Sequence, residues 1–297
     1  MSAKRALVGL IGANIQKSLS PVVQEDTFAA NGIRGHYHLM DLDLLPGRKL
    51  ADLLAAARTA GFAGLNITFP CKEAVMPLLD ELSAEARQIG AVNTVTIDVS
   101  GRTKGHNTDC VGFRRAFEET LGRDAVAGKT AVLVGAGGAG RAVAFALFQL
   151  GLTRLFVYDT DKQRSISVVA DLMAAFGAGC SEPVEGAAPA LAEAAGAVNA
   201  TPIGMAGFPG IPIPAEALAA RHWLADVIYT PLETALIRAA RAKGARVMTG
   251  GGMQVYQAAE GFRLWTGLSP DIARMKRVFA EAVAVRDKAL IAAGAAE

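Results

Sequence analysis

The stretch VLVGAGGAGRAVAFAL, Val132 to Leu147, constrains this chain more than any other. It reads as a buried strand, a glycine-rich turn and a helix. Gly135, Gly137 and Gly140 fill a G-x-G-x-x-G pattern, which gives a tight turn, close approach of backbone to a pyrophosphate, and close helix-to-strand packing. Gly138 and Ala139 complete the turn, and the following helix offers free N–H groups and a positive dipole end to that pyrophosphate. The motif begins near the middle of 297 residues, a length that suits two domains, so the front of the chain has another task.

Short apolar runs bounded by Gly, Asp or Pro also occur at RALVGLIG, YHLMDLD, GLNITF, NTVTID, RLFVYDT, GAVNATP, LADVIY and ARVMTG. Ala/Leu-rich helical stretches lie between most of them, and this alternation predicts parallel α/β sheets. A helix, FRRAFEETL, and a Gly/Asp/Lys turn precede the glycine motif. We therefore expect an α/β protein of two domains. Residues 1–109, completed by helices over 252–297, form a front α/β domain, and residues 110–251 form a Rossmann-type doubly wound parallel sheet. Ser269-Pro270 predicts the start of the last helix.

Composition removes several classes of function. Thirty basic against 28 acidic side chains leave a net charge of +2, with no basic run interleaved with aromatics, so nucleic acid is not an expected partner. Cys71, Cys110 and Cys180 are too few and too scattered for a disulfide framework or a metal knuckle, which predicts reduced thiols, a cytoplasmic location and no metal site. The N-terminal segment MSAKRALVGLIGAN lacks the form of a signal peptide, and no run reaches the roughly 18 to 20 apolar residues that span a bilayer. A soluble, unprocessed monomer or homodimer acting on a small molecule is the expectation.

Asp159 ends the strand after the glycine motif, at the spacing where a carboxylate grips the ribose hydroxyls of NAD. A site for NADP would place Arg and a small polar residue here to take the extra phosphate, whereas Asp159 and Asp161 repel it. NAD is thus expected over NADP. Lys162 and Arg164 lie close by and weaken that argument, although Arg164 also suits stacking on the adenine. The alternative is a strand-ending Asp159 that caps the next helix.

Four polar motifs, SLSP (Ser18 to Pro21), GLNITFPCK (Gly64 to Lys72), GAVNTV (Gly90 to Val95) and GHNTDCVG (Gly105 to Gly112), stand at the ends of front-domain strands, where open α/β sheets bind ligands. Hydroxyls and amides with one Lys and one Asp suit a small, hydroxyl-rich, anionic substrate. Taken together and in this order, with VNATPIGM, DVIYTPLET and MQVYQAAEGFRLWTG behind them, they resemble the shikimate dehydrogenase family along essentially the whole chain. The resemblance implies a substrate-binding and catalytic front domain, residues 1–109 with 252–297, and a cleft between it and the nicotinamide-binding domain. It also implies reversible oxidation of a secondary ring alcohol, with hydride passing to a nicotinamide and a proton leaving the hydroxyl. It assigns Lys72 and Asp109 as the catalytic pair. Ser18, Ser20, Asn66, Thr68, Asn93, Tyr229 and Gln257 would hold the carboxylate and ring hydroxyls, and Asn199, Thr201 and Gly252 would lie along the ribose and nicotinamide.

Departures from the family pattern refine this. Lys17 replaces the His found ahead of the serine pair in many biosynthetic members, and YDTDKQR replaces their NRT-like NADP turn, both pointing to the NAD-using branch that also accepts quinate. Ser20, where some quinate users have Thr, favours shikimate. Gln254 stands where an apolar residue is more usual. An enzyme for an amino-substituted shikimate relative and a non-catalytic nicotinamide or metabolite sensor remain as alternatives, the latter disfavoured by the presence of both Lys72 and Asp109.

Overall fold

The computed structural model describes residues 4–294, with side chains to residue 288. It divides into two compact units, one holding the chain up to Thr108 together with that from Gln257 onward, the other Asp109–Tyr256.

The first unit runs β1 (Arg5–Gly12), α1 (Ser20–Ala30), β2 (Arg34–Asp41), α2 (Leu50–Thr59), β3 (Gly64–Ile67), β4 (Glu81–Leu82), α3 (Ala84–Ile89), β5 (Thr94–Ile97) and β6 (Thr103–His106). Its sheet has the order β2-β1-β3-β5-β6-β4. β1 is parallel to β2 and β3, but β5 is antiparallel to both β3 and β6. This corrects the expectation of parallel strands throughout. The Asp98 N–H donates to the Arg102 carbonyl at 3.0 Å and Gly101 takes φ +80°, and so brief a turn joins only antiparallel neighbours. Strand alternation gives the sheet two apolar faces: Leu7 and Ile11 pack with Leu54 and Val95, while Val8 and Leu10 pack with Phe28, Tyr37 and Phe262.

Helix α4 (Thr108–Thr120) leads into the second unit, which continues β7 (Thr130–Val134), α5 (Gly138–Gln149), β8 (Arg154–Tyr158), α6 (Lys162–Phe176), β9 (Ser181–Pro183), α7 (Ala187–Ala192), β10 (Gly196–Asn199), β11 (Trp223–Asp226), α8 (Ala235–Ala242) and β12 (Arg246–Met248). Every pairing in its sheet is parallel, in the order β12-β11-β10-β7-β8-β9. Strand order reverses between β7 and β10, the switch point where doubly wound sheets bind ligands. The central strands are buried and almost wholly apolar, as sheets covered on both faces require. Strands β4, β6 and β9 carry no apolar run and escape a reading based on hydrophobicity.

Helix α9 (Gly250–Thr266) returns the chain to the first unit, where α10 (Ile272–Gly294) packs against α1. Arg274 forms a two-pronged ion pair with Asp26 of α1, and the Trp265 indole N–H donates to the Val95 carbonyl at 3.0 Å. The last helix starts after Asp271, whose carboxylate accepts from the Arg274 N–H at 3.1 Å, so its cap lies just beyond the expected Ser269-Pro270. No helix among the described residues is long and apolar enough to cross a membrane, and these residues hold no cluster of His, Cys, Asp and Glu fit for a metal ion.

Candidate active site

In the first unit the polar motifs converge because β1 and β3 are hydrogen-bonded neighbours that end side by side. Leu10 pairs with Asn66 and Ile11 with Ile67, and beyond them the Ala13 N–H donates to the Phe69 carbonyl at 2.9 Å. The loop with Ser18 and Ser20 therefore borders the loop with Thr68 and Lys72. Ser20 is buried and opens α1, and Ser18 Oγ accepts its N–H at 3.3 Å. Lys72 is half-buried, its carbonyl accepting from the Val92 N–H at 2.9 Å.

Asn66 and Asn93 complete this edge. Asn66 Oδ1 accepts from the buried Tyr37 hydroxyl at 2.8 Å, and its Nδ2 donates to Thr94 Oγ1 at 3.0 Å and to the Asn93 carbonyl at 3.2 Å. Asn93 Nδ2 donates to Gln257 Oε1, while its Oδ1 accepts from the Thr108 N–H at 2.7 Å. Asn93 thus anchors the first residue of α4, next to Asp109, which is buried in the opening turn of that helix.

Asp41 also shapes this edge, although its place in the sequence marks it only as a strand end. Its carboxylate accepts from the Ile15 N–H at 3.1 Å, Gln16 Nε2 at 3.0 Å and the Asp43 N–H at 3.1 Å, bracing the segment that leads to Ser18. Burial pushes the Asp41 carboxyl up, but these bonds outweigh it and hold the group below its ordinary range. Tyr37 likewise lies outside the polar motifs, and Thr94 and Thr108 lie inside them without an assigned role. A hydroxyl on a buried strand face, beside Leu39, is the signal that points to Tyr37.

In the second unit, Gly135 has φ +99°, and a Cβ there would lie 2.8 Å from Ala200 and from the Thr201 methyl. A Cβ on Gly140 would lie 1.9 Å from the Gly135 carbonyl oxygen. Gly137 precedes α5 with no side-chain cap, and only Arg164 Nη1, at 3.8 Å, approaches its open face. The first N–H groups of α5, through Gly138 and Ala139, thus face a cradle that side chains leave open, which fits a pyrophosphate. Asp159 Oδ2 accepts from the Ala136 N–H at 2.7 Å, and its Oδ1 from the Asp161 N–H at 2.9 Å. The cap of α6 is Asp161, which accepts from the Gln163 N–H at 3.0 Å, so Asp159 is not that cap.

The turn after β10 is held from within. Asn199 is fully buried: its Nδ2 donates to the Ile203 carbonyl at 3.2 Å and Asp226 Oδ1 at 3.1 Å, and its Oδ1 accepts from Thr201 N–H at 3.0 Å and Oγ1 at 2.7 Å. Both donors and both acceptor positions of this amide are filled from within the turn and by Asp226. It shapes the turn that presents Thr201 beside Gly135. Asp226 accepts from Thr234 Oγ1 and the Ile228 N–H as well, yet burial pushes its carboxyl up to about 6. Gly252 sits where α9 meets α4, and a Cβ added there would lie 3.1 Å from that of Ala116. Tyr229 is half-buried in the loop after β11, in this unit rather than with the other substrate candidates.

Residues 10–95 match the family profile described as the shikimate dehydrogenase substrate binding domain, and residues 250–278 match the shikimate 5'-dehydrogenase C-terminal domain. A quinate/shikimate dehydrogenase (NAD(+)) of Corynebacterium efficiens is 46% identical, over 94% of this chain and 99% of the relative. The chain belongs to the shikimate dehydrogenase family. A shikimate dehydrogenase (NADP(+)) of Streptomyces avermitilis from the same family is 45% identical over 95% of this chain and 97% of its own. Quinate dehydrogenase from Corynebacterium glutamicum, solved in complex with NAD, superposes with a TM-score of 0.86 at 43% identity, covering 94% of this chain and 99% of that one. Family membership brings a nicotinamide cofactor, and the relatives divide between NAD and NADP. For this shikimate dehydrogenase family chain the question of cofactor preference therefore rests on its own residues around Asp159.

Proposed function

We propose that this chain is an NAD-dependent shikimate dehydrogenase that also accepts quinate, oxidising the ring 3-hydroxyl to a 3-dehydro product reversibly. The observation that carries the cofactor choice is the Asp159 carboxylate, fixed at the tip of β8 by the Ala136 N–H of the glycine turn at 2.7 Å. There it accepts from ribose hydroxyls and repels a 2'-phosphate. The nearby cations do not reverse that field. Lys162 Nζ is paired with Glu185 at 2.7 Å, and Arg164 Nε lies 3.6 Å from Asp161.

The nicotinamide supplies the hydride acceptor, and the protein supplies positioning and the proton path. Lys72 takes the hydroxyl proton as hydride leaves, and Asp109 orients that amine and the hydroxyl. Ser18 and Ser20 receive the substrate carboxylate, while Asn66, Thr68, Asn93, Gln257 and Tyr229 bind its ring hydroxyls. Gly135, Gly137, Gly138, Ala139 and Gly140 cradle the pyrophosphate, Arg164 covers the adenine, and Asn199, Thr201 and Gly252 lie along the ribose and nicotinamide. Aromatic amino-acid biosynthesis is the pathway this reaction would serve, in the cytoplasm.

The test is the initial rate of nicotinamide reduction by purified protein, with shikimate and quinate each crossed against NAD and NADP. Turnover with NAD on either acid, above that with NADP, is expected. Turnover confined to NADP overturns the role given to Asp159, and none with any pairing overturns the substrate assignment.

A further inference from the structure

We propose that a cavity at the foot of the parallel sheet, rimmed by Lys129, Arg221 and Arg246, binds a small phosphate-type oxyanion. The cavity lies wholly within the second unit and encloses about 90 Å³. That is room for about three waters, the scale of one tetrahedral oxyanion. Lys129 immediately precedes β7, Ala195 precedes β10, and Trp223 and Arg246 open β11 and β12. The cavity therefore sits at the opposite end of the strands from the glycine turn, about 15 Å away by strand length.

Three cations line this one small cavity, and among the described residues none of them forms an ion pair. All three are exposed, and with no carboxylate in the lining their combined field favours an anion at this rim. Both guanidinium groups are held in place. Arg221 donates to the Ala192 carbonyl at the end of α7 at 2.8 Å and to the Ala194 carbonyl just beyond it at 3.2 Å, and Arg246 donates to the Leu121 carbonyl beyond α4. Each guanidinium has five N–H donors, so both keep others for a ligand, and fixed arginines suit the geometry of phosphate.

One of the lining residues also carries an unsatisfied donor. Trp223 is 4% exposed and forms part of the lining, yet its indole Nε1 has no hydrogen-bond partner. A buried donor left unpaired is unfavourable, so this end of β11 is short of an acceptor.

The full chain is titrated with inorganic phosphate, with and without saturating NAD, by calorimetry and by thermal melting. A single site with a Kd of roughly millimolar or tighter is expected, present in both conditions, with a Tm that rises as phosphate is added. Lys129→Glu and, separately, Arg221→Gln are expected to weaken phosphate binding at least about tenfold. Arg221→Gln also frees the Ala192 and Ala194 carbonyls, so Lys129→Glu decides the matter if that variant does not fold. A parallel titration with glycerol phosphate separates the sources: tighter binding than inorganic phosphate assigns a phosphorylated metabolite, weaker binding the free anion. No saturable binding, binding abolished by NAD, or binding unchanged in Lys129→Glu overturns the proposal. None of these outcomes depends on dehydrogenase activity.

Discussion

Asn93 and Gln257 stand 164 positions apart in sequence, and the Asn93 amide nitrogen donates to Gln257 Oε1 at 2.9 Å. The bond ties the start of β5 to α9 at the edge where β1 and β3 end. Gln257→Ala is expected to raise KM for shikimate about tenfold, the worth of roughly one good hydrogen bond, with NAD affinity unchanged. A loss of NAD affinity of equal size would place Gln257 elsewhere. Asn93→Ala also strips the buried Thr108 N–H of its acceptor, so urea unfolding should show a loss of about 2 kcal/mol.

Lys72→Ala is expected to lower kcat by about 10² to 10⁴, the usual range for removing a positioned general base. NAD binding followed by fluorescence should be intact. Turnover near that of the wild type removes Lys72 from the mechanism.

Asp159→Ala should weaken NAD much more than NADP, because it deletes both the ribose acceptor and the repulsion of a 2'-phosphate. Measured Kd values for the two cofactors settle this. Equal loss for both means that the carboxylate serves only to hold the Ala136 N–H.

Gly140→Ala drives a methyl group into the Gly135 carbonyl oxygen, where a Cβ would lie at 1.9 Å. Overpacking of this kind typically destabilises by about 1 to 3 kcal/mol. The glycine turn must shift to relieve it, so NAD affinity should fall along with Tm. A variant with unchanged cofactor Kd would contradict the placement of the cradle.

Asp226 gives the folded state a pH dependence of definite sign. Its carboxyl is raised from 3.8 to about 6 by burial, so between these values the folded chain holds a proton that the unfolded chain has released. Stability therefore falls as pH rises from about 4 to about 6 and levels off above, by on the order of 3 kcal/mol from this group. Denaturant unfolding of wild type and Asp226→Ala across that range checks it. The variant should lack this part of the slope, and parallel curves for the two proteins would refute it.

Local chemistry makes the second unit legible in its residue order. Gly135 and Gly140 are required by backbone approaches that no side chain tolerates, and a continuous apolar strand such as β7 announces a buried parallel sheet. The helix that ends at Lys243 and Gly244, with φ +78° at the glycine, is of the same kind. Strand β6, with Lys104 exposed in the middle of four residues, carries no such signal. It exists because β5 and β4 lend it hydrogen-bond partners on either side.

The two-part α/β plan, the glycine cradle with Asp159 at the next strand tip, and the family can all be read from the amino-acid sequence. They follow from patterns a few residues long, in which each residue type answers a local backbone or charge requirement. The mixed order of the first sheet, the bracing of the serine loop by Asp41, and the filled amide of Asn199 held by Asp226 emerge only in the folded chain. Hydrogen-bond partners far apart in the chain are chosen by which strand ends lie side by side. That choice belongs to the packing of the whole sheet, so an Asn in a polar motif looks the same in sequence whether its amide is open to a ligand or closed on its neighbours.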